Sequence, residues 1–386
     1  MKQQWDIFCS VIDNYGDIGV TWRLARQLTE EYGVQVRVWL DDVAALASIW
    51  TGVDEKLDLQ LVDNIQVCAW LPSQDWTKIT PAQVLIQAFA CALPEGYIAQ
   101  MLKVKNRTGI APHWFNLEYL SAEQWVDDCH AMQSPQSNGL KKTFFFPGFS
   151  EKTGGLLRER DLFTLRNQAL NDDWAHLTGF VQIEGALKVV LFGYDHMPLT
   201  QWLPLVAQGD KSVQLAVTSG KAARAMRAAC AQLGQPVAGW GNLSIRELPM
   251  VRQNMFDRLL WAADVNFVRG EDSFIRAIWA AKPFVWQIYP QDDGVHFTKL
   301  KAFVERYRLC DGQSSEATEA WQDVQLAWNG DSTFNLGEAW TRLCTQLPLL
   351  KQHAQRYTQD LARFDDLAQQ LTRQVRQSHS DTGVNT

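Results

Sequence analysis

The sequence has no pair of cysteines at C-x-x-C spacing. Its seven cysteines (Cys9, Cys68, Cys91, Cys129, Cys230, Cys310 and Cys344) are scattered, odd in number and mostly in apolar context. They read as reduced core residues of a cytoplasmic protein. No uninterrupted run of about 18 apolar residues appears, so no membrane span is expected. The start, "MKQQWDIFCSVI", enters a strand pattern at once, without the basic region, apolar run and cleavage site of a secretion signal. There is no basic excess either. A formal charge of −7 argues against nonspecific adhesion to nucleic acid or anionic membrane. Repeats of 20 to 50 residues and low-complexity tracts are also absent, and only the residues after Arg376 read as a polar tail. What is plentiful is tryptophan, whose 17 copies are expected to line the core or a cleft.

At 386 residues the chain is too long for a typical single core and most naturally makes two domains. Strand patterns at "WDIFCSVI", "VQVRVWL", "IQVCAW", "QVLIQAF", "TGIAPHWF" and "TFFF" alternate with helical ones such as "GVTWRLARQLTEEY" and "EGYIAQMLKVK". Such alternation predicts a mostly parallel sheet flanked by helices. An irregular stretch, "PGFSEKTGGLLRERDL", follows and reads as a functional loop or the approach to a hinge. The pattern then restarts with "LKVVLFGY", "VQLAVTS", "LSIRELP", "VNFVRG" and "PFVWQIY", separated by helices. The fold class is therefore α/β, with two Rossmann-like doubly wound domains facing a cleft. Residues 1–183 are read as the first, 184–357 as the second, and 358–386 as a helix that packs back on the first. The segment "LPLLKQHAQRYTQDLARFDDLAQQLTRQVRQ" is read as one long terminal helix. Architecture of this kind suits a GT-B glycosyltransferase, but equally binding proteins and dehydrogenases.

Two turns carry chemistry. In "NFVRGEDSFIRA" a strand ends at Val268 and an apolar helix follows. The first amides of such a helix lack intrahelical partners and its dipole is positive there, so an anion fits. Gly270 permits close backbone approach, Arg269 can grip a phosphate with two prongs, and Ser273 can donate one more hydrogen bond. Asp272 is as well explained as a dipole-matching cap, whereas Glu271 suits a ribose or sugar hydroxyl. Phe192 and Tyr194, in "FGYD", fall at the carboxyl edge of the sheet, where they either stack on a base and cover a diphosphate or belong to the core. "TSGKAAR" resembles a P-loop fragment, but the upstream glycine spacing is wrong and Ala222 stands where the metal-binding hydroxyl belongs.

The other turn, "FCSVIDNYGDIGV", has the glycines of a phosphate-binding loop but carries Asp13 and Asp17. Two carboxylates would repel a phosphate. A guanidinium fits them, one acid orienting it and the other accepting its proton. Asp13, Asn14 and Asp17 could instead offer oxygens to magnesium, and Asp17 could simply cap the helix.

At these residues the chain resembles the EarP family, protein-arginine rhamnosyltransferases that modify elongation factor P in certain bacteria. The matching segments are "VIDNYGDIGVTWRLARQL", "NLEYLSAE", "PGFSEKTGGLLRERDL", "VLFGY", "FDRLLWAADVNFVRGEDSFIRA" and "AAKPFVWQIYPQDDGVH". The resemblance implies a GT-B fold, dTDP-β-L-rhamnose as donor, and inverting transfer onto an arginine of folded elongation factor P, with no metal or other cofactor. It implies that Asp13 and Asp17 serve the acceptor, Asp17 as base, and that Glu271 is needed for catalysis. Nucleotide-sugar contacts carry over to Phe192, Tyr194, Gln253, Phe256, Arg269, Gly270, Asp272, Ser273, Tyr289 and Gln291. Met250 departs from the pattern, since an aromatic is usual in this "PMVRQ" stretch. Another GT-B transferase, an epimerase or a noncatalytic nucleotide-sugar-binding module are the alternative readings. Partners other than the donor and elongation factor P, nucleic acid and membrane included, are not expected.

Overall fold

The computed structural model describes residues 3–12, 15–169, 174–291, 294–310 and 312–381, side chains included up to residue 378. By internal packing the chain divides into two units, Met1–Arg160 with Arg363–Thr386, and Asp161–Ala362.

The first unit runs β1 (Gln4–Cys9), α1 (Gly16–Tyr32), β2 (Gln35–Leu40), α2 (Val43–Ile49), β3 (Leu59–Val62), β4 (Ile65–Ala69), β5 (Val84–Ala88), α3 (Glu95–Thr108), β6 (His113–Leu117), α4 (Trp125–Cys129), β7 (Gln133–Pro135) and β8 (Lys141–Phe145). Its eight strands lie in the order β3-β4-β2-β1-β5-β6-β8-β7. All neighbours are parallel except the edge pairs β3/β4 and β7/β8. A central parallel strand is covered on both faces, which is why β1 is a nearly continuous apolar run. The exception, Asp6, is fully buried and satisfied: Arg37 Nε donates to it at 2.6 Å, and the Tyr97 hydroxyl donates to its other oxygen. The chain leaves β1 toward β2 and returns on its other side with β5. That reversal creates a crevice beyond the carboxyl ends of these two strands, where ligands of open α/β sheets bind.

The second unit comprises α5 (Leu162–Gln168), α6 (Trp174–Thr178), β9 (Leu187–Leu191), α7 (Leu199–Gln208), β10 (Val213–Val217), α8 (Lys221–Leu233), β11 (Gly239–Trp240), β12 (Leu243–Glu247), α9 (Gln253–Ala262), β13 (Val265–Arg269), α10 (Asp272–Ala280), β14 (Phe284–Gln287), α11 (Val295–Arg308), α12 (Glu316–Trp328) and α13 (Leu336–Leu361). Six strands order as β11-β12-β10-β9-β13-β14, parallel except for β11/β12. The reversal falls between β9 and β13. Its core is aromatic: Trp202 packs on Phe267 (4.9 Å between centroids), Trp328 (5.5 Å) and Trp340 (5.2 Å), joining α7, β13, α12 and α13. The sequence reading divides the chain at 183/184. By packing, α5 already belongs with the second sheet, where Arg166 Nη1 donates to the Trp279 carbonyl at 2.8 Å.

The terminal segment is not one helix. α13 stops at Leu361 and a further helix, α14 (Leu367–Asp381), starts after a turn and belongs to the first unit. The reason lies in "ARFDDL": Asp366 Oδ1 accepts the Gln369 amide at 3.0 Å, a cap that begins a helix anew. The "PGFSEKTGGLLRERDL" loop receives that start. The Leu367 amide donates to the Leu156 carbonyl (3.1 Å), and Arg158 Nη2 donates to the Phe364 carbonyl (3.1 Å). Gly155 has φ +72°, and a Cβ there would lie 2.2 Å from the Asp365 carbonyl oxygen, so only glycine fits this crossing. No described helix is long and apolar enough to cross a membrane.

Candidate functional site

In the second unit the carboxyl ends of β9 and β13 bring most of the expected residues together. Arg269 closes β13 and is only 5% exposed. Its guanidinium carbon lies 4.7 Å from the Phe192 ring centroid and 4.4 Å from that of Tyr194. Among the described residues it has no carboxylate partner, and its buried Nη1 has no hydrogen-bond partner. A buried cation held only by aromatic faces is expensive to keep, and it is the arrangement a departing or bound anion would complete.

The turn after Arg269 is locked from several sides. Gly270 takes φ +62°, the left-handed region that favours glycine. Its carbonyl accepts the Trp286 indole N–H at 2.7 Å, and Trp286 stacks on Phe274 of α10 at 4.0 Å. The Ser273 hydroxyl accepts the Arg269 amide at 3.1 Å and donates to the Arg269 carbonyl, so Ser273 braces the turn. Glu271 sits at the N-cap of α10 without capping it through its side chain, and Asp272 is in the first turn. Gln253 Nε2 donates to Asp272 at 3.4 Å. The helices carrying these two residues are clamped by a buried ion pair, Arg276 to Asp257, at 3.0 and 2.8 Å. Phe256, on the same helix as Gln253, meets the Phe192 ring edge-on at 5.3 Å. Tyr194 is buried and meets the exposed Tyr289 at 5.5 Å. Gln291 is peripheral, its amide donating to His296 Nδ1 at 3.2 Å.

In the first unit Asp13 and Asn14 lie outside the described residues. Asp17 is in the first turn of α1 and 3% exposed, its Oδ2 accepting the Ile12 amide at 2.9 Å. The Val11 amide donates to Asp41 Oδ1 at 2.9 Å, and the Ser10 hydroxyl donates to the same carboxylate. A buried acid, Asp17, and an exposed one, Asp41, thus hold the β1–α1 loop by its backbone. Directly after β5, Phe89 and Ala90 both take positive φ, +55° and +53°, and Phe89 stacks on Tyr119 at 4.7 Å. Consecutive left-handed non-glycine residues cost energy and tend to mark functional sites. Burial pushes the nearby Cys9 and Cys91 thiols up, Cys91 to about 12, so neither is a nucleophile at neutral pH.

A family model described as Elongation-Factor P (EF-P) rhamnosyltransferase EarP matches residues 5–376. The chain belongs to the EarP family. Protein-arginine rhamnosyltransferase of Pseudomonas putida is 44% identical over 389 residues, covering 98% of this chain and 100% of the relative. The enzyme of the same description from Pseudomonas aeruginosa is 42% identical, covering 95% and 97%. A solved structure described as the structural basis for EarP-mediated arginine glycosylation of translation elongation factor EF-P superposes with TM-score 0.68 at 33% identity, over 98% of this chain and 100% of that one. Acinetobacter baumannii MurG shares the fold, with TM-score 0.52 at 14% identity. The fold is that of the GT-B glycosyltransferases, as the sequence leads one to expect.

Within this EarP-family chain, sequence reasoning passed over three residues that the structure places at the same edge. Gln287 closes β14 and reaches the Tyr194 amide (2.7 Å). Lys221, inside the set-aside "TSGKAAR" segment, holds Nζ 5.4 Å from the Tyr194 ring centroid. Ser219, from that same segment, donates its hydroxyl to Met250 Sδ at 3.4 Å. The segment is no P-loop, yet its strand-to-helix position at the carboxyl edge was a usable signal.

Proposed function

We propose that this chain, a protein-arginine rhamnosyltransferase by family, moves L-rhamnose from dTDP-β-L-rhamnose to an arginine side chain of elongation factor P with inversion. The observation that carries the reading is the buried, carboxylate-free Arg269 at the strand reversal of the second sheet, in a chain matching EarP over residues 5–376. Arg269 and the first amides of α10 hold the diphosphate and stabilise the charge that accumulates on it as the glycosidic bond breaks. Phe192, Tyr194, Gln253, Phe256 and Asp272 surround the nucleotide, with Gly270 admitting the phosphates and Ser273 fixing the turn. Tyr289 and Gln291 border them.

Inversion requires in-line attack by the acceptor nitrogen opposite the departing diphosphate. A guanidinium is a poor nucleophile because its lone pairs are delocalised and it is protonated. Asp13 and Asp17 localise its charge, and Asp17 accepts its proton as the nitrogen attacks, a contribution of about 100- to 10,000-fold. Glu271, at the N-cap of α10, orients the sugar at the reacting carbon. An acceptor that is a translation factor places the reaction in the cytoplasm.

The test is incubation with dTDP-β-L-rhamnose and elongation factor P, read by intact mass. One added deoxyhexose, mapped to an arginine by fragmentation, is expected. An unmodified acceptor after full donor exposure overturns the assignment.

A further inference from the structure

Gln287 has no role in the scheme above, yet it occupies the centre of the donor edge. Its strand lies outside β13 in the sheet, with Gln287 in register with Arg269. Its side chain nevertheless crosses the end of β13 to reach the turn after β9, where Oε1 accepts the Tyr194 amide at 2.7 Å. The Gly270 amide donates to the Gln287 backbone carbonyl at 3.3 Å, so one residue touches both turns that flank the reversal. Space is tight: a Cβ on Gly193 would approach Gln287 Oε1 to 2.9 Å. Because the Tyr194 amide can only donate, the carboxamide oxygen must face it and the NH2 must face away. That Nε2 has no hydrogen-bond partner among the described residues, and the side chain is 1% exposed. A buried amide donor left without an acceptor is costly, and native structures rarely tolerate it except where a ligand supplies the acceptor. Nη1 of Arg269, the residue opposite Gln287 in the ladder, is orphaned in the same way. Two unsatisfied donors on paired residues, with no carboxylate on the arginine, call for an oxygen-rich anion.

We propose that Gln287 is a donor-binding residue: its oxygen fixes the Phe192–Tyr194 turn while its NH2 donates to a diphosphate oxygen of the nucleotide sugar. This rests on the donor-site reading above and extends it to a residue in a strand. The carboxamide also ties nucleotide to phosphate geometry, because moving the Tyr194 turn moves the amide that contacts the diphosphate.

The experiment is titration of dTDP and of thymidine, by calorimetry, against the full-length wild type, Gln287→Glu and Gln287→Met, with donor and acceptor KM measured separately. Gln287→Glu keeps an acceptor for Tyr194 but removes the donor, and Gln287→Met removes both. The expected result for Gln287→Glu is a roughly 10- to 100-fold loss of dTDP affinity, matched in donor KM, with thymidine affinity and acceptor KM unchanged; Gln287→Met, whose turn also loses its anchor, should lose dTDP affinity by a larger factor than thymidine affinity, with acceptor KM unchanged. A fall in dTDP and thymidine affinity by the same factor means that Gln287 only shapes the turn, and overturns the proposal. So does wild-type dTDP affinity in Gln287→Glu. If one variant does not fold, the other decides. Failure of the wild type to bind dTDP at all rejects the donor site itself, a different outcome from a silent variant.

Discussion

The β1–α1 turn of the first unit and the β13–α10 turn of the second are built on the same plan, a buried parallel strand passing into a helix at the strand reversal of their sheets, with a glycine at or just before the helix start, Gly16 in one and Gly270 in the other. Their charges are opposite. In the first, Asp17 is buried with a backbone amide for a partner; in the second, Arg269 is buried between two rings. The same frame therefore carries a carboxylate in one place and a guanidinium in the other. A helix N-terminus favours anions in both places. In the second a buried arginine precedes that end, whereas in the first the Asp17 carboxylate stands in the first helical turn and takes the Ile12 amide of the loop.

The sharpest way to break this comparison is Asp17→Asn. Asparagine keeps an oxygen for the Ile12 amide, so the loop should hold while basicity is lost. Turnover should fall about 100- to 10,000-fold with dTDP affinity unchanged. Weakened dTDP binding in this variant would mean that the two turns do not divide the substrates between them.

The two turns also differ in what holds them. The second leans on the ion pair between Arg276 and Asp257, both nearly inaccessible. Arg276→Met takes the guanidinium away from the buried Asp257 carboxylate and should destabilise by about 3–5 kcal/mol, seen as a lower denaturant midpoint. Replacing both by apolar residues of similar size should recover most of that loss. If the single variant melts like wild type, the clamp is not what positions α9 against α10.

Much of this was legible in the sequence, and the reasons for the rest are physical. Arg269, Gly270 and Ser273 announce themselves because a charge, a glycine and a hydroxyl interrupt an apolar strand-to-helix passage. Gln287 did not, since "FVWQIY" reads as a buried strand and its partner Tyr194 lies 93 residues away. Phe89 and Ala90 carry no left-handed signature, because that backbone is imposed by the stacking and crossing around them and not by their own preferences. The break after Leu361 was hidden by apolar spacing that stays in phase on both sides of "ARFDD". Only the cap made by Asp366 and the close approach of Gly155 reveal it.

Arg269→Lys tests whether the second turn needs a fork or only a charge. An ammonium cannot lie flat between Phe192 and Tyr194 or offer two parallel donors. Affinity for dTDP should fall roughly 10- to 100-fold, with thymidine affinity changed little. Equal loss for both ligands would show that Arg269 holds the rings in place and not the phosphates.

The smallest expected effect concerns Met250, where the resemblance leads one to expect an aromatic. Met250 is 41% exposed, and its sulfur accepts the Ser219 hydroxyl near the carboxyl edge of the second sheet. A thioether packs well against a flat base, but it has neither the area nor the quadrupole of a ring. Met250→Phe should therefore tighten thymidine and dTDP by the same factor, about 2- to 10-fold, because the gain lies in the base and not in the phosphates. That common factor is what sets it apart from Arg269→Lys. A gain confined to dTDP, or no gain in either titration, would place Met250 away from the base and leave the rim of the second site without its aromatic wall.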